Sequence, residues 1–238
     1  HVFEPADTVA GDYYDFVPLP DGSWLICVAD VTGHGVPAAM GAAMLKSLLM
    51  AATEQPPFEP QFVLAEINRR FATTVLPGNF ASMFLGRWQP ESGELSWASA
   101  GHEPGILLTR SGRLDQLSST GLLLGIDADA AWKQLSVQLT DGDRVLLFSD
   151  GATETRSPDG ELFGREQLTA RFSQCDSLTP QQSLKRIGEQ LDLHRFEGPL
   201  TDDLTLVILQ CGDFSERTVP EANDARTTDV SAASASME

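Results

Sequence analysis

Cys27-Val28-Ala29-Asp30-Val31-Thr32-Gly33-His34-Gly35 decides how the rest of the chain is read. The apolar run Trp24 to Ala29 has the composition of a buried strand, and it ends on a carboxylate, Asp30. A carboxylate at the exit of a buried strand is costly unless it is paired, hydrogen-bonded or metal-bound. Gly33 and Gly35 allow backbone turns and close approach to a ligand, and the Ala/Met/Leu-rich sequence behind them reads as a helix. The local expectation is a rigid strand delivering one carboxylate to a glycine-lined cleft. Just upstream, Gly11-Asp12-Tyr13-Tyr14-Asp15 opens a second strand, Asp12–Pro18. The turn Pro20-Asp21-Gly22 joins the two as a hairpin.

Working outward, helices are expected over Val36–Thr53 and Pro60–Val75, the second with Phe62, Val63, Ile67 and Phe71 on one face. Met40, Met44 and Met50 are expected in the core. Short strands follow at Phe80–Trp88, Glu94–Ala100, Gly105–Thr109, Arg113–Leu117, Trp132–Leu139 and Arg144–Ser149. Helices are expected at Gly164–Phe172 and Thr179–His194, and a last strand at Leu204–Gln210. Hairpin-spaced strands and paired helices without strict βαβ alternation predict an α+β fold, antiparallel sheets covered by helices. Residues 1–212 read as one domain. Residues 213–238, rich in Ser, Ala, Thr and acids, read as a disordered acidic tail or linker. The first residue is His, so the start of the domain is expected to be missing.

The 238 residues carry 34 Asp and Glu against 16 Lys and Arg, a net charge of −18. Such a surface disfavours nucleic acid and anionic membrane, and suits divalent cations or a basic partner. The longest nearly apolar run, Ala38–Ala52, is too short to span a bilayer. Cys27, Cys175 and Cys211 are widely spaced, without a CxxC pair or zinc spacing, as in a reducing cytoplasm.

Four acidic positions share one design, a carboxylate at a strand end beside Gly or a turn: Asp12, Asp30, Asp150 and the pair Asp202/Asp203. With their strands side by side they would converge on one sheet edge. Converging carboxylates cannot all stay ionised without cations between them. Oxygen ligands suit Mg²⁺ or Mn²⁺. Two such ions, roughly 3.5–4 Å apart, can hold and acidify a bridging water for in-line attack on phosphorus. His34 is a candidate general acid or a locally bonded loop residue. Thr32 is a candidate pocket-lining residue, His102 a turn residue, Ser149 structural because no G-x-S-x-G elbow surrounds it, and Asp15 secondary.

The ordered motifs are Pro5-Ala6, Gly11 to Phe16, Val28 to Met40, Ala100-Gly101-His102-Glu103-Pro104, Leu123-Leu124-Gly125, Leu147 to Glu154 and Thr201 to Thr205. Together they resemble the SpoIIE/RsbU-type branch of the metal-dependent serine/threonine phosphatases, the PPM or type 2C superfamily. The resemblance implies a sandwich of two antiparallel sheets flanked by helix pairs (α-β-β-α). It implies two Mn²⁺ or Mg²⁺ ions, and water-mediated hydrolysis of phosphoserine or phosphothreonine on a protein. By motif, Asp12, Asp30 and Asp150 are catalytic metal ligands, Asp30 bridges, and the Val31 carbonyl and Asp202 complete the set. Asp203 would orient Asp202, with the choice between the two open, and Thr32, Gly33, His34 and Gly35 would line the substrate side.

The implied substrate is an anti-anti-sigma (STAS-domain) antagonist in a bacterial partner-switching pathway. An upstream sensor or receiver domain would act through the helix pair after Gly35, and the family leaves room for a homodimer. A non-catalytic phosphoprotein-binding module and a hydrolase of small phosphates or nucleotides are the rival readings. Three departures stand out: Ala10 replaces a frequent Gly, the usual N-terminal strand is missing, and no counterpart of the type 2C phosphate-clamping arginine can be placed.

Overall fold

The computed structural model describes residues 1–75, 78–196 and 198–212; the expected tail at 213–238 lies outside the described residues. Among the described residues, ten strands form two five-stranded antiparallel sheets. The first sheet runs β2 (Asp12–Pro18), β3 (Trp24–Val31), β4 (Ala81–Gln89), β5 (Glu94–Ala100) and β8 (Leu135–Gln138). The second runs β1 (Val2–Glu4), β10 (Leu204–Gln210), β9 (Arg144–Phe148), β6 (Gly105–Leu108) and β7 (Leu114–Leu117).

The period of two along each strand sorts side chains into layers. Ile26, Val28, Phe84 and Trp97 of the first sheet meet Leu107, Val145, Leu147 and Val207 of the second, and this is the inter-sheet core. The alternate residues Leu25, Cys27, Ala29 and Val31 face the helices α1 (Gly35–Ala52) and α2 (Pro60–Thr74). On the outside of the second sheet, Leu146, Phe148 and Leu206 pack under α4 (Gly164–Ser173) and α5 (Pro180–Arg195). The result is the four-layer α-β-β-α sandwich that the resemblance implies.

The structure differs from the sequence reading at several points. Val2–Glu4 is a strand, held as an edge by pairing Val2 to Leu206; three residues are too few to show a period. Strand β8 begins at Leu135, not Trp132, because the Trp132 ring turns into the helix-side core and donates from Nε1 to the Leu122 carbonyl at 2.8 Å. Asp150–Glu154 forms a short helix, α3, where the sequence shows only a strand end. Met40 is 67% exposed and Met50 47% exposed, so neither is core; the buried stripe of α1 is Ala38, Gly41, Ala42, Leu45 and Leu49. Met44 alone packs against that core.

At eighteen residues and mean hydropathy 1.4, α1 reaches the length and composition of a membrane span. Here its small-residue face lies on the sheet, with Gly41 so close to Val31 that a Cβ would stand 2.7 Å from Val31 Cγ1. Lys46 on the same helix pairs with Asp15 at 2.8 Å. Asp15 accepts from Tyr13 as well, so it serves the helix face and not the carboxylate cluster.

Candidate metal centre

The register of β2, β3 and β4 aligns Asp12, Asp30 and Ser82 in one row across the first sheet. Strand alternation puts Asp30 on the same face as Ile26 and Val28, just beyond the apolar plug between the sheets. The second sheet ends at the same place: β9 leads through Ser149 into Asp150, and β10 begins after Asp202-Asp203. The carboxylates therefore face one another across the end of the sandwich, two from each sheet, instead of lining a single sheet edge as the sequence reading expected.

Local chemistry fixes this end. Ser149 Oγ donates to the Asp203 carbonyl at 3.1 Å and accepts from the Thr205 amide at 3.0 Å, so Ser149 is structural. Gly151 is compulsory, since a Cβ there would stand 2.1 Å from the Asp203 carbonyl oxygen. The absence of a side chain lets α3 lie against the start of β10, with Asp150 beside Asp202. The Asp203 carboxylate accepts from the amides of Ala6 at 2.8 Å, Gly11 at 2.7 Å and Asp12 at 3.4 Å. Its side chain thus positions Asp12, not Asp202; toward Asp202 it offers only its backbone amide, at 2.8 Å. Thr205 donates to Asp12 Oδ2 at 2.5 Å.

Burial and crowding act on the three enclosed carboxylates in the same direction. Asp12 is pushed up to about 8, first by burial and then by the charges of Asp30 and Asp203, against the pull of the Ser149 and Thr205 hydroxyls. Burial, then Asp150, Asp202 and Asp203, push Asp30 up to about 7. Asp150 rises to about 6 through burial and the neighbouring Asp202, Glu154 and Glu103. Among the described residues no Lys or Arg forms an ion pair with any of them.

Like charges directly opposite in a sheet are destabilising, and the Asp12–Asp30 pair is of that kind. An oxygen-only set of uncompensated, crowded carboxylates fits a hard divalent cation. Among the described residues no three His, Cys, Asp or Glu side chains close on a single point as a ready-made chelate. Gly11 packs tightly beside the candidate oxygen ligand: a Cβ there would stand 2.9 Å from the Val31 carbonyl oxygen and 3.8 Å from Asp30 Oδ1.

A cleft of about 210 Å³ adjoins the cluster, lined by Asp30, Thr32, Ser82, His102, Glu103 and Asp150, among others. Thr32 donates its hydroxyl to the Phe80 carbonyl at 3.0 Å. Gly33 and Gly35 have φ of 95° and 68°, the left-handed turn their lack of a side chain permits. His34 is exposed at the N-cap of α1, makes no side-chain cap bond and does not line the cleft. Neither do Gly33 and Gly35. Sequence reasoning missed Ser82 and Glu103 as cleft residues and gave His102 only a turn role. Ser82 carries no local signal, because only its register opposite Asp30 brings it there. The Gly-His-Glu-Pro motif was the available cue for the other two.

The family model described as Stage II sporulation protein E (SpoIIE) matches residues 20–212. The chain is 36% identical over 208 residues to phosphoserine phosphatase RsbU of Bacillus subtilis (strain 168), covering 87% of this chain and 61% of that protein. It therefore spans about three fifths of that relative's length. The SiaA-PP2C domain of Pseudomonas aeruginosa has the same fold at a TM-score of 0.80, with 21% identity over 88% of this chain and 84% of that one. The catalytic domain of the serine threonine protein phosphatase PstP, in complex with two manganese ions, also shares the fold, at a TM-score of 0.64 and 17% identity over 89% and 96% of the two chains.

Proposed function

The chain belongs to the SpoIIE family, and on that premise we propose that it is a metal-dependent phosphatase acting on phosphoserine or phosphothreonine in a protein. The observation that carries the reading is the set of Asp12, Asp30 and Asp150, drawn from both sheets to one end and pushed toward protonation, with no Lys or Arg paired to them among the described residues. The RsbU relative is named a phosphoserine phosphatase, and the PstP neighbour holds two manganese ions; both support the assignment.

Asp12, Asp30, Asp150 and Asp202, with the Val31 carbonyl, would hold two Mn²⁺ or Mg²⁺ ions, which when bound supply an acidified water and neutralise charge on phosphorus. The protein's own part is positioning. Asp203 and Thr205 clamp Asp12 from backbone and side chain. Gly11 lets the β2 backbone pack closely beside the Val31 carbonyl, and the inter-sheet core below excludes water from the base of the site. Among the described residues no arginine lines the cleft, so the phosphoryl group would depend on the cations.

Retention of all four carboxylates disfavours a purely binding, non-catalytic module. The resemblance to the SpoIIE/RsbU branch supports a STAS-domain antagonist as substrate, an upstream sensor or receiver domain, homodimerisation and a cytoplasmic location. The test is phosphate release from a phosphoserine-bearing STAS protein and from free nucleotides, with Mn²⁺ present. Selective, Mn²⁺-dependent release from the phosphoprotein supports the reading. Preference for nucleotides would favour a small-phosphate hydrolase.

A further inference from the structure

The two halves of the candidate centre belong to different sheets, and something must set the distance between them. His102 stands at that seam. It lies in the Gly101–Pro104 crossover from β5 of the first sheet to β6 of the second. Gly101 makes this turn with φ of 61°, and a Cβ there would meet Leu123 Cδ2 at 2.7 Å, so the crossover is held inward. The ring is 3% exposed and lines the cleft.

On one side His102 Nδ1 lies 2.7 Å from Ser82 Oγ, and Ser82 is the cross-strand partner of Asp30. On the other side the carbonyl of Phe148, two residues before Asp150, acts on the ring. Nε2 is buried and makes no hydrogen bond of normal geometry. A carbonyl only accepts, so the nitrogen that meets Phe148 must carry the proton. With Nδ1 engaged by Ser82, that nitrogen is Nε2, and Ser82 Oγ–H donates to Nδ1.

We propose that His102 is a positioning residue, a neutral imidazole clasp that takes Ser82 beside Asp30 in one sheet and reaches for the Phe148 carbonyl before Asp150 in the other, and so sets the span of the metal centre. The inference rests on the metal-dependent reading given above. A buried N–H left without an acceptor is costly. Cations held between the two carboxylate groups would favour closure of Nε2–H on the carbonyl, so metal binding and the clasp would reinforce one another. Outer residues that orient metal-bearing groups commonly govern affinity without touching the ion.

The test is calorimetric titration of Mn²⁺ into the whole chain as wild type, Ser82→Ala, His102→Leu and the double variant, with ¹⁵N spectra of the metal-free histidine rings. Each single variant is expected to weaken Mn²⁺ binding by about tenfold or more, the range seen when such outer partners are removed. The double variant should be no weaker than the worse single, because both break one clasp. The His102 ring should be protonated on Nε2. Wild-type affinity in folded Ser82→Ala and His102→Leu, additive losses, or a ring protonated on Nδ1 would each overturn the proposal. Should His102→Leu not fold, Ser82→Ala and the ring spectrum decide. A wild type that binds no Mn²⁺ would count against the phosphatase reading, whereas a binding wild type with unaffected variants would count against the clasp alone.

Discussion

Replacing Asp30 by Asn should stabilise the metal-free protein while removing its response to metal. Asp30 sits opposite Asp12 in the sheet, with Asp150, Asp202 and Asp203 adding their charge, and its carboxyl is pushed from 3.8 up to about 7. That rise corresponds to about 4 kcal/mol of penalty on the charged form. Asp30 is half-buried, so solvent screening reduces it to about 2–3 kcal/mol. The pH window follows from the direction of the shift. A group whose pKa is raised on folding exacts no penalty below its unfolded value, a growing one between 3.8 and about 7, and a constant one above.

In EDTA at pH 8, Asp30→Asn should therefore melt about 5–10 °C above wild type, the shift expected for that energy in a chain of this length. By pH 4 the two should nearly coincide. Mn²⁺ at about 1,000 times its Kd should reverse the order, since it then adds about 4.1 kcal/mol to the chain that binds it. Scanning calorimetry of both proteins at pH 4, 6 and 8, with EDTA or Mn²⁺, reads all of this. A metal-free Asp30→Asn that is less stable than wild type at pH 8, or a gap that does not change with pH, would refute the electrostatic reasoning.

Three further outcomes follow from close contacts at the site. Gly151→Ala would drive a methyl group into the Asp203 carbonyl, 2.1 Å away; a loss of about 3 kcal/mol, the upper range for overpacking, should appear as a lower urea midpoint. Asp203→Ala removes the acceptor of the Ala6, Gly11 and Asp12 amides, costing about 2–3 kcal/mol as bonds to a charged group do. Hydrogen exchange should then quicken across residues 2–12 before the rest of the first sheet. Gly11→Ala places a methyl 2.9 Å from the Val31 carbonyl oxygen and 3.0 Å from the Ala38 Cβ. It should cost about 1–3 kcal/mol in thermal unfolding and weaken Mn²⁺ binding more than the distant Gly22→Ala control does.

What the sequence disclosed, and what it hid, divides along the range of the interaction. Strand β3 was legible because Trp24–Ala29 is continuous apolar sequence closed by the carboxylate Asp30 and by Gly33 and Gly35, all within twelve residues. The ligand candidates were legible for the same reason, each being a polar residue at an apolar strand's end. Hidden were the features set by pairing partners far along the chain. Strand β1 exists only through β10, about two hundred residues away. The role of Asp203 depends on amides 191 to 197 positions upstream. The distribution of Asp30 and Asp150 over two sheets is a matter of topology, which two hairpin-forming segments do not reveal. Met40 and Met50 were misplaced because an Ala/Gly stripe is as able as a methionine stripe to face the core, and close approach to Val31 selects the small residues.

The central claim is that carboxylates from both sheets together carry metal-dependent phosphate hydrolysis. Its most direct measurement is phosphate release from a phosphoserine peptide as Mn²⁺ is titrated, with wild type, Asp30→Ala and Asp150→Ala side by side. Release that rises with Mn²⁺ in wild type and is abolished in both variants, each still folded, is the predicted result. Undiminished Mn²⁺-dependent release in both folded variants would contradict the account.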